Sequence, residues 1–306
     1  MAGWRRGGGP AQAVLAGVGL TVLAIGVIVL SVQALQQTGA QPTDARATPK
    51  PTFTFGAPAP TPPGEAGSPT PSPTGGSGAA PGADERFLAV GEDVLWRGTA
   101  GACGADAPVI ELSSDSGATW TDVTPTYRDI AQLRTLSSFG GPHAEAVADL
   151  GEECETQAIR TFTGGEFWEP YPDELASWTY VDPADAGTII TPDGAIEAPC
   201  AEPWGLRARG VVVALICDAT AYARSADEWT ALAPAGISAL AVDADGGLAL
   251  AHIDPACDGL AISRYEDDAT KYLGCASDAN PQGDAAVTFA GEDVLLWAGD
   301  VVTSVG

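Results

Sequence analysis

The stretch Ser113-Ser114-Asp115-Ser116-Gly117-Ala118-Thr119-Trp120 constrains the fold of this 306-residue chain more than any other segment. Ser and Asp side chains accept hydrogen bonds from nearby backbone N–H groups and so hold a tight turn. Gly117 permits a positive φ, and Trp120 opens the next strand with a large apolar surface to bury. One such turn makes a hairpin, whereas its recurrence makes an architecture. Thr161-Phe162-Thr163-Gly164-Gly165-Glu166-Phe167-Trp168 keeps a hydroxyl at Thr161, the glycine at Gly165 and the tryptophan, with Thr163 in place of the aspartate. Residues 223–229 keep a strand, a polar turn and Trp229. Each turn follows a cysteine (Cys103, Cys154, Cys217), and each tryptophan is followed by a proline (Pro125, Pro170, Pro234). A unit repeated on this scale points to a propeller or another repeat array.

The pattern S-x-D-x-G-x-x-W at Ser113, Asp115, Gly117 and Trp120 resembles the Asp-box, or BNR repeat. That turn recurs in β-propellers such as sialidases, sortilin-like receptors and photosystem assembly factors. The resemblance implies a propeller in which Asp115 is a turn former and not a catalytic acid. A second internal match supports a ring: Gly-Glu-Asp-Val-Leu occurs at 91–95 and again at 291–295, each copy among apolar residues. These read as equivalent inner hairpins of the first and last blades, adjacent in a ring whose closure removes exposed sheet edges.

Short apolar runs separated by Gly, Asp and Pro turns fill residues 84–306, and no long amphipathic helix competes. Strands are predicted at 109–112, 158–162, 188–191, 210–217, 239–242, 248–252, 260–264 and 286–289. The expected fold is therefore all-β, with blade-sized segments at 87–125, 130–171, 175–204, 205–234, 237–275 and 285–306. That gives about six blades. The last segment is short, so the ring either borrows a strand from near residue 84 or has another count; seven blades or a β-sandwich array are the alternatives.

The chain before this domain is of different material. Residues 11–35 carry no charge and exceed the roughly 20 apolar residues that cross a bilayer. Arg5 and Arg6 precede them, which places residues 1–10 in the cytoplasm and the rest outside. This predicts an uncleaved anchor at the cell membrane. A signal peptide cut near Thr38-Gly39-Ala40 is the alternative, disfavoured because its apolar region should be about 7–15 residues. Residues 36–83 form a Pro/Thr/Gly/Ser-rich linker, expected to stay disordered for want of apolar surface. In polyproline geometry its length allows a reach on the order of 100 Å.

Outside the membrane, all six cysteines can oxidise. Sequential pairing is expected: Cys103 with Cys154, Cys200 with Cys217, and Cys257 with Cys275. Zinc is disfavoured, since no C-x-x-C occurs and His143 and His252 are the only histidines. Residues 84–306 hold 38 acidic and 10 basic side chains, a net charge of −28. Nucleic acid would be repelled, while a basic protein or cell-wall polymer would suit such a surface. The acidic clusters Glu152, Glu153, Glu155 and Glu266, Asp267, Asp268 read as solvated loops, and Asp243-Ala244-Asp245-Gly246-Gly247 as a hairpin turn.

No motif specifies a reaction, a metal or a cofactor. His143 is expected in a loop and His252 at the end of a strand. A sialidase-like glycosidase would hold its substrate carboxylate with three arginines beside a Tyr–Glu pair and an Asp acid/base. Arginines are plentiful (Arg86, Arg97, Arg128, Arg134, Arg160, Arg207, Arg209, Arg224, Arg264), but no such Tyr or Glu can be assigned by motif. The sequence therefore points to a tethered binding or scaffold module, with a glycosidase or a membrane-complex assembly factor as alternatives.

Overall fold

The structure, a computed structural model, describes residues 81–306 apart from residue 226. The expected cytoplasmic segment, membrane span and nearly all of the linker lie outside the described residues, among which no helix is long and apolar enough to cross a membrane. The described chain is six antiparallel sheets in succession, and in each the strands pair in sequence order. Blade 1 comprises β1 (Arg86–Val90), β2 (Leu95–Thr99), β3 (Val109–Ser113) and β4 (Thr121–Asp122). Blade 2 comprises β5 (Ile130–Gly140), β6 (His143–Leu150), β7 (Glu155–Thr161) and β8 (Trp168–Pro170). Blade 3 has three strands, β9 (Tyr180–Asp182), β10 (Asp185–Thr191) and β11 (Gly194–Glu197). Blade 4 holds β12 (Trp204–Arg209), β13 (Val212–Cys217), β14 (Thr220–Ser225) and β15 (Glu228–Ala235). Blade 5 holds β16 (Ile237–Val242), β17 (Leu248–His252), β18 (Leu260–Glu266) and β19 (Ala269–Ala276). Blade 6 ends the chain with β20 (Ala285–Ala290), β21 (Asp293–Ala298) and β22 (Val301–Val305). The first strands of blades 4, 5, 6, 1 and 2 pack one against the next, so the fold is an all-β six-bladed propeller.

Alanine makes this close approach feasible. Ala239, Ala241, Ala249 and Ala251 are buried between blades 5 and 6 beside Leu260, Val287 and Leu296. Every residue of β17 is buried, which is why Leu-Ala-Leu-Ala-His reads as continuous apolar sequence and not as an alternation.

No strand is borrowed to close the ring, because β1 pairs with β2 alone and blade 6 stands on its own three strands. Side chains make the seam. The Arg97 guanidinium lies between two indoles, 4.2 Å from the Trp120 ring and 4.9 Å from that of Trp297. Arg86 covers Trp297 at 4.3 Å. Arg97 Nε donates to Glu111 at 2.6 Å, and Arg86 donates to the Gly299 carbonyl at 2.7 Å. Each guanidinium–indole contact contributes about 0.5–2 kcal/mol.

The matching pentapeptides do form first-to-second-strand hairpins in blades 1 and 6, but one residue out of step. Gly91 N–H donates to the Val94 carbonyl, leaving Glu92 and Asp93 at the tip. In blade 6, Ala290 pairs with Asp293, leaving Gly291 and Glu292 there, with Gly291 at φ +68°.

Blade 3 departs from the others. The strands β1, β5, β12, β16 and β20 all end at one face of the ring, whereas β9 starts there, just after Trp178 and Thr179. By direction β9 corresponds to a second strand. The 3-10 helix Pro172–Ser177 and the residues after it stand where a first strand would end.

The three disulfides are Cys103–Cys154, Cys200–Cys217 and Cys257–Cys275, the expected sequential set. The first ties blade 1 to blade 2. The second anchors the connection into blade 4, and the third joins a loop of blade 5 to its outer strand.

Candidate binding site at the mouth of the ring

At the face where the first strands end, the axis opens into a cavity of about 1030 Å³. Five strand ends contribute Val90, Phe139, Arg209, Val242 and Phe289, and blade 3 adds Trp178, Thr179 and Pro192. Missing a first strand, blade 3 leaves room that the Trp178 segment only partly takes.

The floor is set by Arg207 of β12. It reaches across the axis to the opposite blade, where Nη2 donates to the Arg86 carbonyl at 2.9 Å and Nη1 lies 3.4 Å from Glu85 Oε1. Its guanidinium stands 4.9 Å from the Phe87 ring. Burial lowers the Arg207 pKa and raises that of Glu85, in each case against the pull of the partner's charge. Phe87 and Arg207 line the cavity, while Glu85 and Trp204, beyond them along the axis, do not.

The wall pairs its charges. Arg160 of β7 donates through Nε to Glu145 at 2.8 Å and through Nη2 to Glu174 at 3.0 Å. Burial pulls its pKa down, but these two carboxylates more than offset that and the net shift is upward. Arg264 donates to Asp243 at 2.6 Å. Asp243 also accepts from the Asp245 and Gly247 amides, so the expected hairpin turn doubles as part of the wall. Arg209 is exposed, and no ion pair to it occurs among the described residues. The lining contains neither tyrosine nor histidine.

The three tryptophan-containing turns singled out in the sequence lie elsewhere, and none lines this cavity. Ser113 Oγ accepts from Gly117 N–H at 2.9 Å, Asp115 Oδ1 accepts from Thr119 N–H at 2.8 Å, and Trp120 Nε1 donates to the Gly117 carbonyl. The Thr119 hydroxyl and amide hold the Asp115 pKa down to about 2. The blade 2 turn repeats this geometry: Thr161 Oγ1 accepts from Gly165 N–H at 3.0 Å and Thr163 Oγ1 from Phe167 N–H at 2.9 Å. Gly117 and Gly165 share φ +87°. A hydroxyl therefore does at Thr163 what the carboxylate does at Asp115. The third turn is different, a tight hairpin with Ser225 paired to Glu228.

All three turns nonetheless touch the preceding blade. A Cβ on Gly117 would stand 3.4 Å from Val302 of blade 6, and one on Gly165 only 2.5 Å from Val123 of blade 1. Trp229 Nε1 donates to the Glu197 carbonyl of blade 3 at 2.8 Å. Trp168, fully buried, meets Trp96 of blade 1 edge-to-face at 5.9 Å.

His143 is a correction to the loop expectation: it opens β6, paired with Gly140, and its ring lies against Phe139 and Phe162. His252 ends β17 as expected and is buried. Its Nε2 lies 2.9 Å from Ser263 Oγ and its Nδ1 3.3 Å from the Ile253 carbonyl. A carbonyl only accepts, so in the neutral ring Nδ1 carries the proton and Nε2 accepts from the serine. Neither partner lines the cavity, so this pair is a core contact. Burial lowers the His252 pKa below 6.5. The unfolded chain then takes up a proton that the folded one refuses, so stability is complete above pH 6.5 and declines as pH falls below it. Urea titrations between pH 7.5 and 5 on the parent chain and on His252→Gln should differ by that decline, a comparison in which the opposite contributions of Glu85 and Asp284, whose pKa values are raised, cancel.

The acidic clusters at 152–155 and 266–268 lie at turns, with Cys154, Asp267 and Asp268 at positive φ, but Glu155 opens β7 and Glu266 ends β18, a correction to the loop expectation for those two residues. Among the described residues no group of three or more His, Cys, Asp or Glu side chains is placed to hold a metal.

No family model matches the chain. No curated protein matches it either. Among solved structures, a mutant of the Aleuria aurantia lectin in complex with Fucalpha1-6GlcNAc is 11% identical, with 72% of this chain and 91% of that one covered and a TM-score of 0.45. The Trypanosoma rangeli sialidase is 11% identical, with 72% and 53% covered and a TM-score of 0.40, so this chain spans about half its length. YCF48 from Cyanidioschyzon merolae is 13% identical, with 71% and 80% covered and a TM-score of 0.30. These likenesses concern the ring fold and bear on no ligand.

Proposed function

We propose that this protein is a membrane-anchored, extracytoplasmic binding module of the Asp-box type, which takes its ligand at the mouth of the ring. Residues 11–35 serve as the anchor and residues 36–83 as the tether. One observation carries the binding reading: the 1030 Å³ cup is walled by aromatic rings and by Arg160, Arg207 and Arg264, each already facing a carboxylate. Such a wall orients a ligand through a few fixed polar groups among apolar surface. A sialidase reading needs three free arginines and a tyrosine nucleophile; here Arg160, Arg207 and Arg264 are engaged, Arg209 alone is left, and the lining has no tyrosine.

A photo-crosslinking residue placed at Val211, beside the mouth, in the full-length chain tests the reading. It should capture envelope material that the same residue at Tyr272, on the outer strand of blade 5, does not. Equal capture at both positions, or none at Val211, would sink it. A single stoichiometric membrane protein among the adducts would point to the assembly-factor alternative.

A further inference from the structure

Among the described residues, the exposed aromatic side chains concentrate on blade 2. Phe162 is 50% and Phe139 39% exposed, and Tyr171 is half-buried beside them. Phe162 packs edge-to-face on Phe139 at 5.4 Å and lies 6.1 Å from Tyr171. Arg160 stands beneath this group, 5.6 Å from the Phe139 ring and 5.5 Å from the Tyr171 ring. The rings are continuous with the cup, since Phe139, Arg160, Glu145 and Glu174 all line it. We propose that this rim binds a neutral saccharide, with Phe162, Phe139 and Tyr171 stacking on the sugar ring and the Glu145–Arg160–Glu174 array bonding its hydroxyls. The inference rests on the binding-module reading above.

The chemistry selects this ligand class over charged ones. A pyranose offers a face of C–H groups to an aromatic platform and a perimeter of hydroxyls to planar acceptors. Each carboxylate oxygen has lone pairs beyond those the guanidinium uses, so Glu145 and Glu174 can still accept from hydroxyl donors. Both are held in place by Arg160, which lowers the entropy lost on binding. The array carries two negative charges and one positive, within a domain of net charge −28, which disfavours an acidic sugar. A cationic ligand at this rim would lie beside the Arg160 guanidinium, whose like charge opposes it, whereas a neutral hydroxyl meets no such repulsion.

The test uses the full-length, detergent-solubilised chain and saturation-transfer NMR. The probes are methyl pyranosides of glucose, mannose, galactose, N-acetylglucosamine and fucose, with N-acetylneuraminic acid, trilysine and a proline-rich peptide as competing classes. At least one neutral pyranoside should bind with millimolar affinity or better, and Phe162→Ala should weaken it about tenfold or more. Phe162→Trp should keep it. Phe162 is exposed, so unchanged thermal unfolding of Phe162→Ala separates a lost platform from a lost fold; should that variant unfold, Glu174→Gln read the same way takes its place. Binding of none of the neutral sugars, preference for any charged or peptide probe, or indifference to the substitution would overturn the proposal. Crosslinks at Val211 alongside such a failure would leave the broader binding reading standing and remove the saccharide alone.

Discussion

Trp297→Ala is expected to lower the unfolding free energy by about 3–5 kcal/mol, the range for deleting a buried large aromatic. Trp297 is 5% exposed and carries the guanidinium contacts of both Arg86 and Arg97. Its loss leaves a cavity between blades 6 and 1 and leaves Arg97 stacked on Trp120 alone. Since no strand crosses that seam, little else compensates. Urea unfolding of the variant should show the lower midpoint, and Trp297→Phe should recover part of the loss by keeping a ring. A change within 1 kcal/mol would mean that the seam is held mainly by backbone packing of β1 on β20.

Replacing both Cys103 and Cys154 by serine is expected to cost a similar amount, about 4 kcal/mol. The bond closes a sequence separation of 51 residues, and the loss of unfolded-state entropy on closing so long a loop sets that magnitude. The shorter spans of 17 and 18 residues should cost about 3 kcal/mol each. Calorimetry of the three paired variants gives the comparison. A smaller effect for the long span than for either short one would show that residual structure in the unfolded chain, and not loop entropy, governs the difference.

The ring was legible because its blades repeat locally. Turn chemistry at Ser113 and Thr161, with spacing between apolar runs, marks where one sheet ends and the next begins. Six blade segments could be drawn before any coordinates. The absent first strand of blade 3 was not legible, because the segment at 171–179 is neither strongly apolar nor patterned, and a missing strand leaves no signal of its own. The mouth was hidden for a different reason. Arg160, Glu145 and Glu174 come from two strands and a 3-10 helix: the sheet register brings Glu145 to Arg160, and the helix after β8 brings Glu174. Glu145 and Arg160 do pair directly across β6 and β7, so opposite charges at facing positions of a hairpin were the one available hint. The aspartate that identifies the turn motif proves to be a backbone clasp, and Thr163 shows that its charge is dispensable to that geometry.

Arg207, which joins blade 4 to blade 1, sets what lies at the inner end of the cup. With its guanidinium bonded to Glu85 and the Arg86 carbonyl, it lies across the axis at the floor of the cup. A ligand taken at the mouth, as proposed above, would meet at its inner end a charge pair whose two members are already partnered.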